Sequence, residues 1–409
     1  MLLLYQRWSE MLLSNAIVCD VNGERRVDVK IENGVVVAIG ENLMDDNVID
    51  AKGLYLLPTL IDTNIRVLDS SLNAKNIQAV ANEAKKGGVG HIVLHADVTP
   101  AIDNEVVLEF AQNGVKDIDD VKIDFMLNAL QEDMSLSNIA ILLKKGAVTP
   151  YMSTIAKNNI AIKIAEYVKM YGGTLFCKPE DNSLINAGVM LDGDVSSKLG
   201  LAGIPELSEV LHVSRMIEIA RYFSIKILFK SIASPRSVAL IAKAKSEGVH
   251  VSCEVSVHHL LYCDEACEGF NTTAKLNPPL ASKNDVQELQ NALKRGEIDL
   301  LTTLHQPNSP VNKEVAFFDA AYGCEALADA LPIYYTKLVK PGIISITELI
   351  ELTVKNPAKA LNMQAGIIEV GQKADVVLFD VNKKSIVNNA QSLYNGEELF
   401  GEVIALSDL

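Results

Sequence analysis

The chain has 409 residues, 49% of them apolar and 22% charged, which is enough to bury a large core and excludes an extended disordered protein. Its 52 acidic residues against 37 basic ones leave a net charge of −15, which repels nucleic acid and anionic membrane and excludes both as partners. Six scattered cysteines, and apolar runs far short of the roughly 20 residues of a membrane span, point to a reducing cytoplasm.

The apolar opening Met1 to Trp8 has no basic start and no small-residue cleavage site, so it does not read as a secretion signal. Met11 offers a second start, with residues 1–10 as a frayed or partner-bound extension. From Met11 to about Leu56 apolar and polar residues alternate around turns at Asn22-Gly23 and Asn33-Gly34, which predicts hairpins. Short β-branched runs then follow one another, each trailed by an amphipathic stretch: Tyr55 to Asp62, Gly88 to Ala96, Val121 to Leu130 and Gly146 to Met152. Further runs are Gly173 to Lys178, Lys226 to Ser231, Val249 to Ser256 and Ile298 to His305. Eight such runs separated by helical segments predict an α/β fold, a TIM (β/α)8 barrel over residues 57–359. Helical spacing is clearest at Leu207 to Phe223 and Val286 to Lys294. The tail returns to strand character from Gly366 to Val387, so residues 11–56 and 360–409 are expected to join in a small β-sandwich domain built from both termini.

The seven histidines include no His-x-His pair. His91 and His95 fall on the same side of one strand, but at its two ends, roughly 13 Å apart, too far to share an ion. Cys263 and Cys267 stand four apart without a second pair and read as free thiols.

Several segments in register resemble the dihydroorotase, hydantoinase and allantoinase group of amidohydrolases. They are Leu57-Pro58-Thr59-Leu60-Ile61-Asp62 at the first barrel strand, Leu199-Gly200-Leu201-Ala202-Gly203-Ile204-Pro205, and Glu254-Val255-Ser256-Val257-His258-His259-Leu260. Asn277-Pro278-Pro279-Leu280, Asn356-Pro357-Ala358 and Gly371 to Asp380 complete the set. The resemblance implies a metal site at the barrel mouth, yet this chain departs from the pattern at the chemical positions. The two histidines of the first-strand His-x-His motif fall on Asn64 and Arg66, and an arginine has no lone pair to offer a metal. The strand-four stretch ending at Met152 holds no carboxylate, the strand-five histidine falls on Lys178, and the strand-six histidine on Ser231. The catalytic aspartate falls on Leu304, which can neither activate water nor protonate a leaving nitrogen. The arginine and asparagine that grip substrate fall on Leu68 and Ala96. Asn277 and His305, with the new cations Arg66 and Lys178, remain as ligand-binding candidates.

The resemblance therefore implies a barrel with no catalytic residues and no cofactor, acting as a structural or regulatory subunit of pyrimidine biosynthesis. Aspartate carbamoyltransferase is the implied partner, and homo-oligomerisation is also expected. One alternative is an active dihydroorotase or related cyclic-amide hydrolase, for which zinc is expected; another is a small-anion binding protein using the old pocket. Removing a dication leaves acceptors to be balanced, so Arg66 and Lys178 are expected to be held by Asp62, Glu180 or Asp97 in the metal's structural place. His258 and His259 are expected to support the loop after strand seven rather than to bind metal.

Overall fold

The computed structural model describes residues 10–154 and 156–406; the extension expected at the start of the chain falls almost wholly on residues 1–9, outside the described residues. Eight parallel strands form the barrel sheet, in simple sequential order. They are β1 (Leu60–Ile65), β2 (Val89–Leu94), β3 (Lys122–Asn128), β4 (Thr149–Met152), β5 (Thr174–Cys177), β6 (Lys226–Phe229), β7 (Val251–Ser256) and β8 (Leu300–Thr302). Helices cover the outer face, so strands such as β1, β4 and β5 are buried on both sides and read as unbroken apolar runs.

One expected strand is two elements. Tyr55–Pro58 pairs antiparallel with Val376–Ile386 outside the barrel, and β1 starts only at Leu60, whose N–H reaches Gly88 O at 2.9 Å. A continuous apolar stretch has no change of period to mark that hand-over.

Among the described residues no ladder joins β8 to β1. Side chains close the seam instead: the Asp62 carboxylate accepts from Thr302 Oγ1 at 2.6 Å, Thr303 N–H at 2.8 Å and Thr303 Oγ1 at 2.7 Å. Arg66 N–H adds a backbone bond to His305 O at 2.9 Å.

Four helices matter for the site: α1 (Ala74–Lys86), α2 (Leu207–Phe223), α3 (Pro235–Ser246) and α4 (Lys283–Lys294). The helix α2 has the limits its apolar spacing predicts. The start of α4 lies three residues earlier than its apolar pattern, because Ser282 caps it through the Asp285 N–H with polar residues that carry no periodicity.

Both termini contribute to the expected β layer, which is one seven-stranded sheet. Its strands are Met11–Asp20, Gly23–Glu32, Val35–Gly40, Val48–Asp50, Tyr55–Pro58, Val376–Ile386 and Glu398–Ala405. The sheet curls round its own core of Leu13, Val18, Val29, Leu56 and Leu378. Its far edge meets the returning chain where Val36 N–H bonds to Gln372 O at 2.9 Å.

Candidate functional site

In a barrel of this kind the loops leaving the C-terminal ends of the strands carry the chemistry. The residues singled out at those ends are in place, and each is tied to a neighbour. Asn64, at the end of β1, is 1% exposed and directs its amide Nδ2 at Ser231 Oγ and at Glu254 Oε1, both at 2.7 Å. Thus the first-strand and sixth-strand positions touch each other directly. Arg66 Nη2 lies 3.1 Å from His95 Nε2, and Nη1 is 3.4 Å from Asn64 Oδ1.

Burial, with Arg66, Lys230 and Lys178 adding to it, holds the His95 imidazole well below its ordinary pKa, so the ring is neutral. Arginine can only donate, so Nε2 is the acceptor in that contact, while Nδ1 lies 3.3 Å from the Asp97 backbone N–H and 3.7 Å from Asp97 Oδ2. Edge-on packing against Tyr151, with ring centroids 4.2 Å apart, fixes the imidazole from its other side.

Lys178 pairs with Glu180 at 2.7 Å. Of the three carboxylates expected to hold the new cations, Glu180 takes Lys178, Asp97 lies beside His95, and Asp62 is spent on the β8 seam. Met152 is fully buried beside Tyr151, and its carbonyl accepts the Lys178 N–H at 3.0 Å. Leu304 is 3% exposed and has a left-handed backbone, φ +48°, a conformation Ser231 shares at φ +52°.

A cavity of about 570 Å³ opens over β5, β6 and β7. Lys178, Ser231 and Asn277 line it; Arg66 and His305 do not. His305 is a correction to the sequence reading, because its ring turns away from the mouth. Its Nδ1 faces the backbone N–H groups of Ala326 and Leu327 at 3.3 Å, and Nε2 is 3.1 Å from Glu83 Oε2 on α1. Burial works to raise the Glu83 carboxyl and the His305 contact more than offsets it, leaving the carboxyl below its ordinary pKa. The four candidates for an anion site are therefore divided among three environments.

The cavity wall is acidic as well, with Asp192, Asp194, Glu206, Asp264, Glu265 and Asp285 against Lys178 and Lys283. Part of that wall is the two-stranded pairing of Met190–Leu191 with Gly203–Ile204. A side chain at Gly203 would place its Cβ 2.5 Å from Asp192 Cα, so the backbone approach there requires glycine. Glu209 on α2 reaches in from the outside and accepts from Ala233 N–H at 2.9 Å and Ser234 N–H at 3.0 Å, anchoring the chain between β6 and α3.

His258 and His259 are fully buried and take structural contacts. His258 lies between Tyr394 Oη at 3.1 Å and Cys324 Sγ at 3.2 Å, and His259 between Ser256 Oγ at 2.7 Å and Pro278 O at 3.1 Å. Burial drops their pKa values to about 3 and about 4. Among the described residues all six cysteines, Cys263 and Cys267 included, are free thiols.

The sequence reading passed over Lys230 and did not weigh Glu254 as a charge. Lys230 is 1% exposed, Glu254 0%, and the two form an ion pair between the end of β6 and the middle of β7. A lone cation closing the run Ile227-Leu228-Phe229 and a lone carboxylate inside Val251–Ser256 were the available signal: opposite charges embedded in adjacent apolar strands.

The architecture is an eight-stranded parallel barrel with strand-end residues at its mouth and a sheet added from the termini. The family described as "Amidohydrolase family" matches residues 202–399. The chain is 33% identical over 410 residues to a dihydroorotase of Ruminiclostridium cellulolyticum, covering 96% of each, and 30% identical over 401 residues to the dihydroorotase of Bacillus subtilis, covering 94% and 92%. The L-hydantoinase (dihydropyrimidinase) of Arthrobacter aurescens superposes with a TM-score of 0.86 at 21% identity, over 96% of this chain and 93% of that one, which shows a shared fold. The chain belongs to the amidohydrolase family, among its dihydroorotase-like members.

The metal implied by that membership does not fit the residues present. Zinc takes nitrogen, sulfur or carboxylate donors, and the places that would supply them hold an amide, a guanidinium, a thioether, an ammonium, a hydroxyl and an alkyl group. Among the described residues no three His, Cys, Asp or Glu side chains converge.

Proposed function

We propose that this protein is a dihydroorotase-type barrel that does not carry out metal-dependent hydrolysis and serves as a structural or regulatory subunit in pyrimidine biosynthesis, in the cytoplasm, with aspartate carbamoyltransferase as partner and with self-association. The observation that carries the reading is the 2.7 Å hydrogen bond from Asn64 to Ser231, which fills the gap an ion would need between the first and sixth strands. Leu304 supports it, since an alkyl chain at the proton-transfer position has nothing to transfer.

A second reading is an active dihydroorotase or related cyclic-amide hydrolase, and the comparisons taken alone favour it. The relatives carry that name over nearly the full length of the chain, at 30–34% identity. On that reading a base has to come from elsewhere in the cavity, where burial pushes the Glu209 carboxyl up to about 7. The small-anion reading has the least support, because the wall is acidic and Lys178 is already paired.

Cyclisation of a ureido acid, followed with and without added zinc alongside elemental analysis of the full chain, separates the first two. No turnover and substoichiometric metal are expected; turnover that rises with zinc would establish the second. Mixing with aspartate carbamoyltransferase on a sizing column is expected to give one co-eluting species, and separate peaks would remove the subunit role.

A further inference from the structure

A dication held among strand tips does chemistry, and it also cross-links the strands that ligate it. We propose that in this chain the ammonium of Lys230 has taken over that second role, as a resident cation fastening β1 and β7 to the end of β6. This goes beyond the subunit role and rests on the reading that no metal occupies the strand tips.

The space is closed to an ion. Two ligands of one tetrahedral zinc, each about 2.1 Å from it, stand roughly 3.4 Å apart. Asn64 Nδ2 and Ser231 Oγ are 2.7 Å apart with a proton between them. Beside them Lys230 Nζ donates to Thr63 O at 2.8 Å, to Thr63 Oγ1 at 3.0 Å and to Glu254 Oε2. An ammonium has three protons, and these partners use all of them. Glu254 is just as fully engaged: Oε1 takes the Asn64 amide at 2.7 Å, and Oε2 takes Thr63 Oγ1 at 2.7 Å as well as Lys230. The Phe176 ring of β5 lies beneath, its centroid 4.9 Å from Nζ.

One side chain at the end of β6 therefore gathers groups from three other strands, β1, β5 and β7, beside the place where the family's metal is implied. Of the cations expected in that role, Lys178 is paired with Glu180, one of the expected carboxylates, and Arg66 lies against His95. With every donor occupied, Lys230 has none left for a substrate, so it is a positioning residue.

The test uses thermal unfolding of the full-length protein. Wild type is expected to melt at the same temperature with and without EDTA. Lys230→Ala is expected to melt several degrees lower and to regain much of the loss in ethylammonium, which can enter the vacated space as a cation, but not in the neutral propanol. Lys230→Met keeps length without charge and carries the test should the alanine variant not fold; a lower melting temperature or an insoluble product is expected. A methionine variant as stable as wild type, rescue by propanol equal to that by ethylammonium, or an EDTA-induced fall in wild type with release of stoichiometric metal would each overturn the proposal. Metal-free turnover would overturn the subunit reading and leave this one standing.

Discussion

Asp62 shows how far a single carboxylate can determine the closure of this barrel. It is 3% exposed and, besides the three bonds to β8, accepts the Asn64 N–H at 2.9 Å. Asp62→Ala leaves those donors buried and unanswered, a loss of about 3 kcal/mol that denaturant unfolding would read directly. Glu209 makes a pH-dependent contribution of the opposite sense. Burial raises its carboxyl from an ordinary 4.5 to about 7, so between those values the folded chain binds a proton that the unfolded chain has released. Folding stability attributable to this group is therefore highest below pH 4.5 and declines by roughly 3 kcal/mol as pH rises to 7. Glu209→Gln is expected to remove that slope from a plot of Tm against pH; an unchanged slope would mean the carboxyl titrates normally.

Between elements, a close backbone approach lies where α1 ends. Gly87 follows it with an ordinary backbone, but a Cβ there would stand 1.8 Å from Leu327 O, and Gly87 O itself accepts the Leu331 N–H at 3.1 Å. Gly87→Ala must push the two segments apart, and a cost of about 3 kcal/mol is expected from calorimetric unfolding. The elements themselves were legible in the sequence, because β-branched runs alternating with amphipathic stretches report burial, and burial is what defines them. Contacts between elements were not legible. The Asp62 seam joins residues 240 positions apart in the chain, and the His305 ring is turned by Ala326, Leu327 and Glu83, none of which its local sequence identifies. Likewise Asn64 and Ser231 were legible as positions that lack donor chemistry, whereas their bond to each other required two strands to be brought side by side.

For the molecule as a whole, four buried histidines set the acid limit. His95, His212, His258 and His259 are all held neutral by burial, with values of about 4 for His212 and His259 and about 3 for His258. Their folded values lie below the ordinary 6.5, so the unfolded chain takes up protons first and stability is lost as pH falls from 6.5 through 4. Melting temperature is expected to drop across that range with net proton uptake on unfolding, the Glu209 carboxyl offsetting part of the fall. A flat profile would mean the rings are solvated. The identity of the barrel was legible from motifs spread along the chain, but its chemistry depends on a few strand-end residues that composition and period do not report. One feature of the terminal sheet also bears on how the chain is made. Tyr55–Pro58 lies between Met11–Asp20 and Val376–Ile386, so during synthesis its outer edge has no native partner until the ribosome has delivered residues some 320 positions later. Every nascent chain must carry that raw edge through production of the entire barrel, which makes it the natural place for a chaperone to hold.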